Sequence, residues 1–393
     1  MGGHNDARLP ALDNQTILIV LAAFSIAAVG IVAHPFVWER FTVRLAFDAH
    51  DLDVYFASSG WIAGGGRLYD TVPSEYPLFA NIIFAAVRYV SDLFRPDGYG
   101  FYFVWMVTAW FVYLYALYRV ARDSTVLAAV AWLAPASIYF ALLRFDLYPV
   151  VATLMALFAI RRTSYVEGAL WLGVAIALKG YALFLLPAYC VFVMRQRGPL
   201  AAIKVGAVAL APMLLGLLAV LIFVGWDGML APFRFHAARP FNSESTYDAI
   251  NYLFGGSFLP RGDRARRAAQ ILQVGCSLAA AAMLPRSFED LVNAFLFAML
   301  GFMSFSIFYS PQFVLWILPL VCFSASRGIL ISAVLFSWLT YLYFPIAFDL
   351  AQAGHGAGML KVAIVVTAAL RLWMMLLAVN EKWDLSGRMS GAR

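Results

Sequence analysis

Residues 200–225 read LAAIKVGAVALAPMLLGLLAVLIFVG, with Lys204 as their single charge. As a helix this run is about 39 Å long at about 1.5 Å per residue, against a hydrocarbon core of about 30 Å. Inside lipid the backbone must satisfy its own polar groups, so such a run crosses as an α-helix. Comparable apolar runs lie near residues 16–36, 77–94, 99–118, 125–143, 146–160, 167–194, 268–284, 290–309, 312–325, 328–347 and 360–379. The fold class that follows is an all-α polytopic membrane protein with roughly 11–13 membrane elements.

Composition agrees. The 393 residues are 63% hydrophobic and 13% charged, which excludes an ordinary soluble protein. No polar segment exceeds about 40 residues, so one transmembrane domain, 1–393, is expected. The run at 16–36 is longer than a secretory signal core and reads as an uncleaved first span. Cys190, Cys276 and Cys322 fall inside apolar runs without metal-ligand spacing, as small core residues do. The net charge of +6 is spread over loops, which suits contact with anionic lipid and not with nucleic acid.

Two polar connections stand out, 38–76 and about 226–267. Lys and Arg in short loops set orientation. Arg161, Arg162, Arg195, Arg197, Lys204, Arg286, Arg327 and the tail residues Lys382, Arg388 and Arg393 read as cytoplasmic. Both long connections then face outward from a cell (inner) membrane. One conflict arises: if 77–94 and 99–118 both cross, Arg119 and Arg122 land outside. Either 77–94 is a half-span, or Pro135 splits 125–143 into a re-entrant pair. Arg261, Arg264, Arg266 and Arg267 also fall outside, against the trend. Lys179-Gly180 divides 167–194 into two shorter helices. Trp38, Trp61, Trp226 and Trp316 sit near span ends as interfacial anchors.

The first connection holds the densest chemistry: Phe47-Asp48-Ala49-His50-Asp51-Leu52-Asp53-Val54-Tyr55, then Asp70 and Glu75-Tyr76-Pro77. Carboxylates are expensive beside a bilayer. Asp51 and Asp53 lie two apart, with Asp48 and His50 just upstream; on an extended or turn backbone one or two of these carboxylates can point at a common pocket, where a carboxylate suits a general base for a sugar hydroxyl. The alternative is solvated acids, or caps for a helix starting near Leu52. Gly64-Gly65-Gly66 ends that short helix and Pro77 opens the next.

Charges also interrupt the apolar runs. A basic side chain at mid-helix costs about 2.5–3.5 kcal/mol on insertion scales. Arg144 and Asp146 form an ion pair or face a cavity. Lys179 has no acid near it in sequence, so a phosphate suits it. In the second connection, His236-Ala237-Ala238-Arg239-Pro240 precedes Glu244-Ser245. Arg239 offers a fork of donors to a phosphate, Glu244 can orient it, and His236 can protonate or bond a leaving group. An interfacial loop with a helix cap is the plainer reading. Pro311 in Ser310-Pro311-Gln312 starts a helix whose free N–H groups suit an anion, or simply a turn.

Taken together these pieces resemble the GT-C superfamily of membrane glycosyltransferases, and most closely the polyprenyl-phosphate-mannose-dependent mannosyltransferases of glycosyltransferase family 87. The matching residues are Asp51-Leu52-Asp53-Val54-Tyr55 with Gly66, Leu68-Tyr69 and Tyr76-Pro77. Arg144-Phe145-Asp146, Lys179-Gly180-Tyr181 with Pro187, His236 to Pro240 with Glu244-Ser245, and Ser310-Pro311-Gln312 with Trp316 and Pro319 complete the set. The resemblance implies a GT-C-like bundle. It implies transfer of a sugar, usually mannose, from a polyprenyl-phosphate donor to a lipid or glycan acceptor at the extracytoplasmic face. The family's catalytic acid falls on Asp51. Asp53 stands where the family often has another polar residue, and Leu78 stands where a second Pro is common.

The resulting expectation has Asp51 as base, flanked by Asp48 and Asp53. Lys179, Arg239, Arg144 and His236 hold the donor phosphate. Tyr55, Tyr76, Asp146, Glu244 and Gln312 contact substrates. No cofactor is expected; a divalent ion shared by Asp51 and Asp53 is the alternative to these cations. The rival class is a transporter or flippase, with Arg144, Asp146 and Lys179 lining a path.

Overall fold

The computed structural model describes residues 13–37, 48–256 and 258–390, and every regular element among them is helical. Trp38, Phe47 and Arg393 lie outside the described residues. Five helices are long and apolar enough to cross a membrane: Gly98–Asp123, Pro199–Phe223, Phe288–Phe305, Arg327–Gln352 and Ala357–Glu381. Val126–Leu133 and Pro135–Leu143 make a sixth if counted as one span bent by 56°. The bend falls where Pro135 removes an N–H and its ring displaces the preceding turn. The chain is therefore a multi-pass membrane protein.

Five or six spans replace the 11–13 elements expected from hydropathy. The difference lies in helices shorter than a bilayer crossing, some of them enclosed by other helices. Leu147–Arg161 is apolar on every face, and Leu147, Val150, Leu154, Leu157 and Ile160 are all buried by neighbouring helices. Tyr165–Leu178 and Pro311–Val321 are also too short to cross alone. Pro199–Phe223 is the contrast: Ile203, Leu214, Leu215, Leu218 and Ile222 are exposed along its length, as a lipid-facing helix requires. The break at Lys179 is present. Tyr165–Leu178 ends there, Gly180–Leu185 forms a 3-10 turn, and Leu186–Arg197 follows.

The helices run between two chemically different ends. At one end Arg161 reaches the Asp123 carbonyl (3.0 Å), Arg119 and Arg122 pair with Asp123, and Arg162 pairs with Glu167. Gln196 bonds the Arg286 carbonyl (2.6 Å), and Ser124 bonds the Cys322 carbonyl (2.5 Å). The acidic loop lies at the other end, with both long connections. Arg239 of the second connection pairs with Glu75 of the first (2.7 Å).

This arrangement settles the parity of Arg119 and Arg122. The Leu78–Asp92 helix begins beside Glu75, and Arg88 near its far end lies 4.1 Å from the Phe56 ring of the acidic loop. Phe101, opening the next helix, packs on the same Phe56 ring at 5.6 Å. Both ends of Leu78–Asp92 are thus at the acidic end, and the helix is a half-span. Arg119 and Arg122 then join Arg161 and Arg162 at the basic end.

Close helix approach needs small residues. A methyl group on Gly173 would meet the Ala209 carbonyl oxygen at 2.7 Å and Pro212 Cδ at 3.1 Å, both on Pro199–Phe223. Gly173→Val is expected to force these helices apart and to cost about 1–3 kcal/mol. A lower melting temperature in detergent checks this; an unchanged one would show that the contact is not tight.

Candidate active site

The acidic loop is helical from His50 to Ser58, not extended. Asp48 initiates it: Oδ1 accepts from the His50 N–H at 2.9 Å. Side chains two apart on a helix diverge by about 200°. Asp53 therefore points away from Asp51 and accepts from the Tyr102 hydroxyl. Asp51 and Asp53 do not face one pocket, and the alternative of a divalent ion held between these two carboxylates has no geometry to support it. Among the described residues no group of three or more His, Cys, Asp or Glu is placed to hold a metal.

Asp48 and Asp51 converge instead on Arg144. Its Nη2 is 2.6 Å from Asp48 Oδ2, and its Nε is 3.1 Å from Asp51 Oδ2. Nη1 donates to the carbonyls of Asp48 (3.1 Å) and Leu143 (3.2 Å). Arg144 is 3% exposed, both of its Nη groups are hydrogen-bonded, and its Nε stands at ion-pair distance from Asp51 without a hydrogen bond, so it serves as an anchor for the loop. Its partner is not Asp146, because the chain changes from extended at Arg144 to helical at Asp146. Tyr139 supports the same knot by accepting from the Asp48 N–H at 3.0 Å.

Tyr55 and Tyr76 are buried and cannot contact a substrate directly. Tyr55 lies one turn beyond Asp51. Its hydroxyl accepts from the Phe145 N–H (2.9 Å) and donates to Asp51 Oδ2 (3.4 Å). Burial, then the Asp51 carboxylate, pushes this hydroxyl well above the usual phenol range, so it remains a donor. The ring stacks on Phe84 at 4.5 Å and meets Tyr76 edge-on at 5.5 Å. Both tyrosines position Asp51.

Asp146 is fully buried and also acts through a neighbour. Lys179 Nζ sits 2.8 Å from each of its oxygens, and Trp316 Nε1 donates to Oδ1 at 2.5 Å. Lys179 thus has an acid partner that sequence distance hid, 33 residues away. Trp316 stacks on Tyr181 (4.3 Å) and Phe313 (3.7 Å), so it belongs to the site and is not an interfacial anchor. Trp226, 61% exposed, is free to be one. Lys179 is 20% exposed, and two of its three N–H donors go to Asp146.

Arg239 pairs with Glu75, not with Glu244, and its guanidinium lies 4.3 Å from the Phe308 ring. His236 shares this space with Glu75, Arg239 and Lys179. His236 keeps solvent exposure, and crowding by neighbouring protein atoms and the Arg239 and Lys179 charges, opposed by Glu75, pushes its imidazole down to about 4. It can donate a hydrogen bond there but does not supply a proton as an acid. Glu244 sits apart, accepting from Asn242 Nδ2 at 3.3 Å, and Gln312 accepts from Ser310 Oγ.

Glu75 and Asn81 were not singled out as site residues from sequence. Asn81 Nδ2 donates to the carbonyls of Tyr76 (2.8 Å) and Pro77 (3.1 Å), and Ser74 Oγ donates to its Oδ1 (2.9 Å). That latch aims Glu75 at Arg239. A lone Asn in an apolar helix just after Glu-Tyr-Pro was the available signal.

Removing one partner of a buried ion pair costs about 3–5 kcal/mol. Arg144→Ala is expected to lose about that much stability, and Asp48→Asn combined with Arg144→Ala is expected to cost less than the sum. Denaturation of the three variants in detergent checks this; simple additivity would mean that the pair is not coupled.

The chain matches no model of a known protein family, and no curated protein matches it.

Proposed function

We propose that this protein transfers a sugar from a polyprenyl-phosphate carrier to a hydroxyl of a lipid or glycan acceptor. The observation that carries the reading is a continuous chain of contacts at one end of an apolar bundle. One branch runs from an oriented carboxylate, Asp51, through Tyr55 and the Phe145–Asp146 backbone to the part-exposed Lys179. The other runs from Tyr55 through the Tyr76 ring packed on it and the adjacent Glu75 to the part-exposed Arg239. The order of these residues along the chain resembles the GT-C pattern, and the half-span and short buried helices suit a vestibule beside the membrane.

In this reading Asp51 takes the proton of the acceptor hydroxyl. Both of its described contacts use Oδ2, which leaves Oδ1 for the proton. The acceptor oxygen attacks the anomeric carbon while the bond from that carbon to the phosphate oxygen breaks. The electron pair leaves with the polyprenyl phosphate. Lys179 and Arg239 stabilise the charge that grows there, and neutral His236 donates a hydrogen bond. Arg144, Lys179 and Arg239 face Asp48, Asp51, Asp146 and Glu75, four carboxylates to three cations. The cations are therefore held in place before substrate arrives, and the phosphate uses the N–H groups that the acids leave over. A nucleotide sugar is the poorer donor, since the described chain is a helical bundle with no α/β unit.

The test is transfer from polyprenyl-phosphate-mannose by purified full-length protein in detergent. Asp51→Asn is expected to lower the rate about 10²–10⁴-fold, the usual contribution of a general base. Asp53→Asn, turned toward Tyr102, is expected to stay within about tenfold of wild type. Equal losses would remove Asp51 from its role. An inactive wild type with several such donors, together with solute or lipid movement across a sealed membrane, would favour a transporter.

The reading places the vestibule on the extracytoplasmic side, because the opposite end carries Arg161, Arg162, Arg195, Arg197, Lys204, Arg286 and Arg327 in short connections. A membrane-impermeant maleimide is expected to label Asp70→Cys in intact cells and Arg162→Cys only after lysis. The reverse pattern would invert the orientation.

A further inference from the structure

Arg371 lies midway along the Ala357–Ser390 helix and is fully buried. Its Nη2 donates to Thr246 Oγ1 at 3.0 Å, and its guanidinium stands 3.8 Å from the Tyr309 ring centroid. Nε and Nη1 lack a partner at good hydrogen-bond geometry. The Tyr309 hydroxyl lies close to Arg371 and to the Tyr343 hydroxyl, and makes only loose contacts with them. The acid that shares this space is Glu244, which lies outside ion-pair distance. Burial pushes its carboxyl up to about 8, with Arg371 pulling the other way. At pH 7 it is neutral and leaves the guanidinium charge uncompensated.

A buried charge without a counter-ion is expensive, and water satisfies its N–H groups without neutralising it. The Arg371 positions can only donate, and the Tyr309, Tyr343 and protonated Glu244 hydroxyls can each turn an O–H to the same point, although their oxygens can also accept. We infer that Arg371, Tyr309, Tyr343 and Glu244 form an anion-binding pocket, separate from the Lys179–Arg239 cluster, that takes a phosphate, sulfate or carboxylate group. The pocket does not depend on the glycosyl-transfer reading. The Asn242–Glu244 loop lies beside it: Asn242 Nδ2 bonds both Glu244 and the Tyr309 carbonyl.

The pocket has a pH signature. Glu244 faces Arg371, Tyr309, Tyr343 and, from the Thr246–Leu253 helix, Tyr252. Tyr309 is itself pushed up to about 12 by burial, so Glu244 is the group that titrates near pH 8. Above that pH the Glu244 carboxylate becomes the counter-ion for Arg371 and competes with any external anion.

Inorganic sulfate is the probe, because its charge is constant from pH 6.5 to 9. Full-length protein in detergent is titrated with sulfate at fixed ionic strength, with melting temperature as the readout. Wild type is expected to bind about tenfold more weakly at pH 9 than at pH 6.5, the ratio set by ionising a group with a pKa near 8. Glu244→Gln is expected to bind equally at both pH values, and Arg371→Gln to lose the response at both. Should Arg371→Gln fail to fold, the Glu244→Gln comparison decides. A second arm uses phosphatidylcholine nanodiscs with and without phosphatidylglycerol. Stabilisation by phosphatidylglycerol that depends on Glu244 in the same way identifies a lipid headgroup as the anion. A response to sulfate alone identifies a water-soluble one. No response in either arm, or one that Glu244→Gln leaves pH-dependent, overturns the pocket.

Discussion

Charge buried in an apolar bundle must be paired, and that constraint organises this structure. Arg144 stands at the junction of Pro135–Leu143 and Leu147–Arg161, two of the most buried segments of the chain. The acids that neutralise it come from the first connection, more than ninety positions earlier. Pairing therefore draws the acidic loop down onto the bundle and fixes where it sits. Once it is there, Tyr55 reaches the Phe145 N–H and its ring completes an aromatic cluster with Phe84, Trp105 and Phe145.

The same rule repeats along the end of the bundle. Asp146 neutralises Lys179, and Glu75 neutralises Arg239. Each pair joins segments far apart in sequence. Each also leaves its cation partly open: Lys179 above a sealed Asp146, and Arg239 beside a Glu75 that is itself 17% exposed. Preorganised cations of this kind stabilise developing negative charge without rearranging at the moment of reaction. Arg371 departs from the rule, because its acid is held neutral and out of reach.

Much of the fold was legible in the sequence. The helical membrane class, the break at Lys179-Gly180, the bend at Pro135 and the grouping of both long connections at one end all rest on local physics: apolar length, missing N–H groups, and the cost of charge in lipid. The half-span at Leu78–Asp92 was legible only as one of two ways out of a charge conflict. Hydropathy overcounted spans because a run of apolar residues looks the same whether lipid or protein surrounds it. Leu147–Arg161 and Pro199–Phe223 differ in surroundings far more than in composition.

The sequence by itself singled out the charged residues that need partners, because carboxylates, guanidinium groups and a lysine inside apolar chain are conspicuous for their cost. Only the tertiary structure decided how they pair. Arg144 chose Asp48 and Asp51 over Asp146, Lys179 chose Asp146, and Arg239 chose Glu75 over Glu244. Sequence proximity favours none of these, since ion pairing acts over a few ångströms of space and is blind to chain distance. Helical periodicity likewise separated Asp51 from Asp53, and a side chain two places along a helix faces the other way whatever its chemistry.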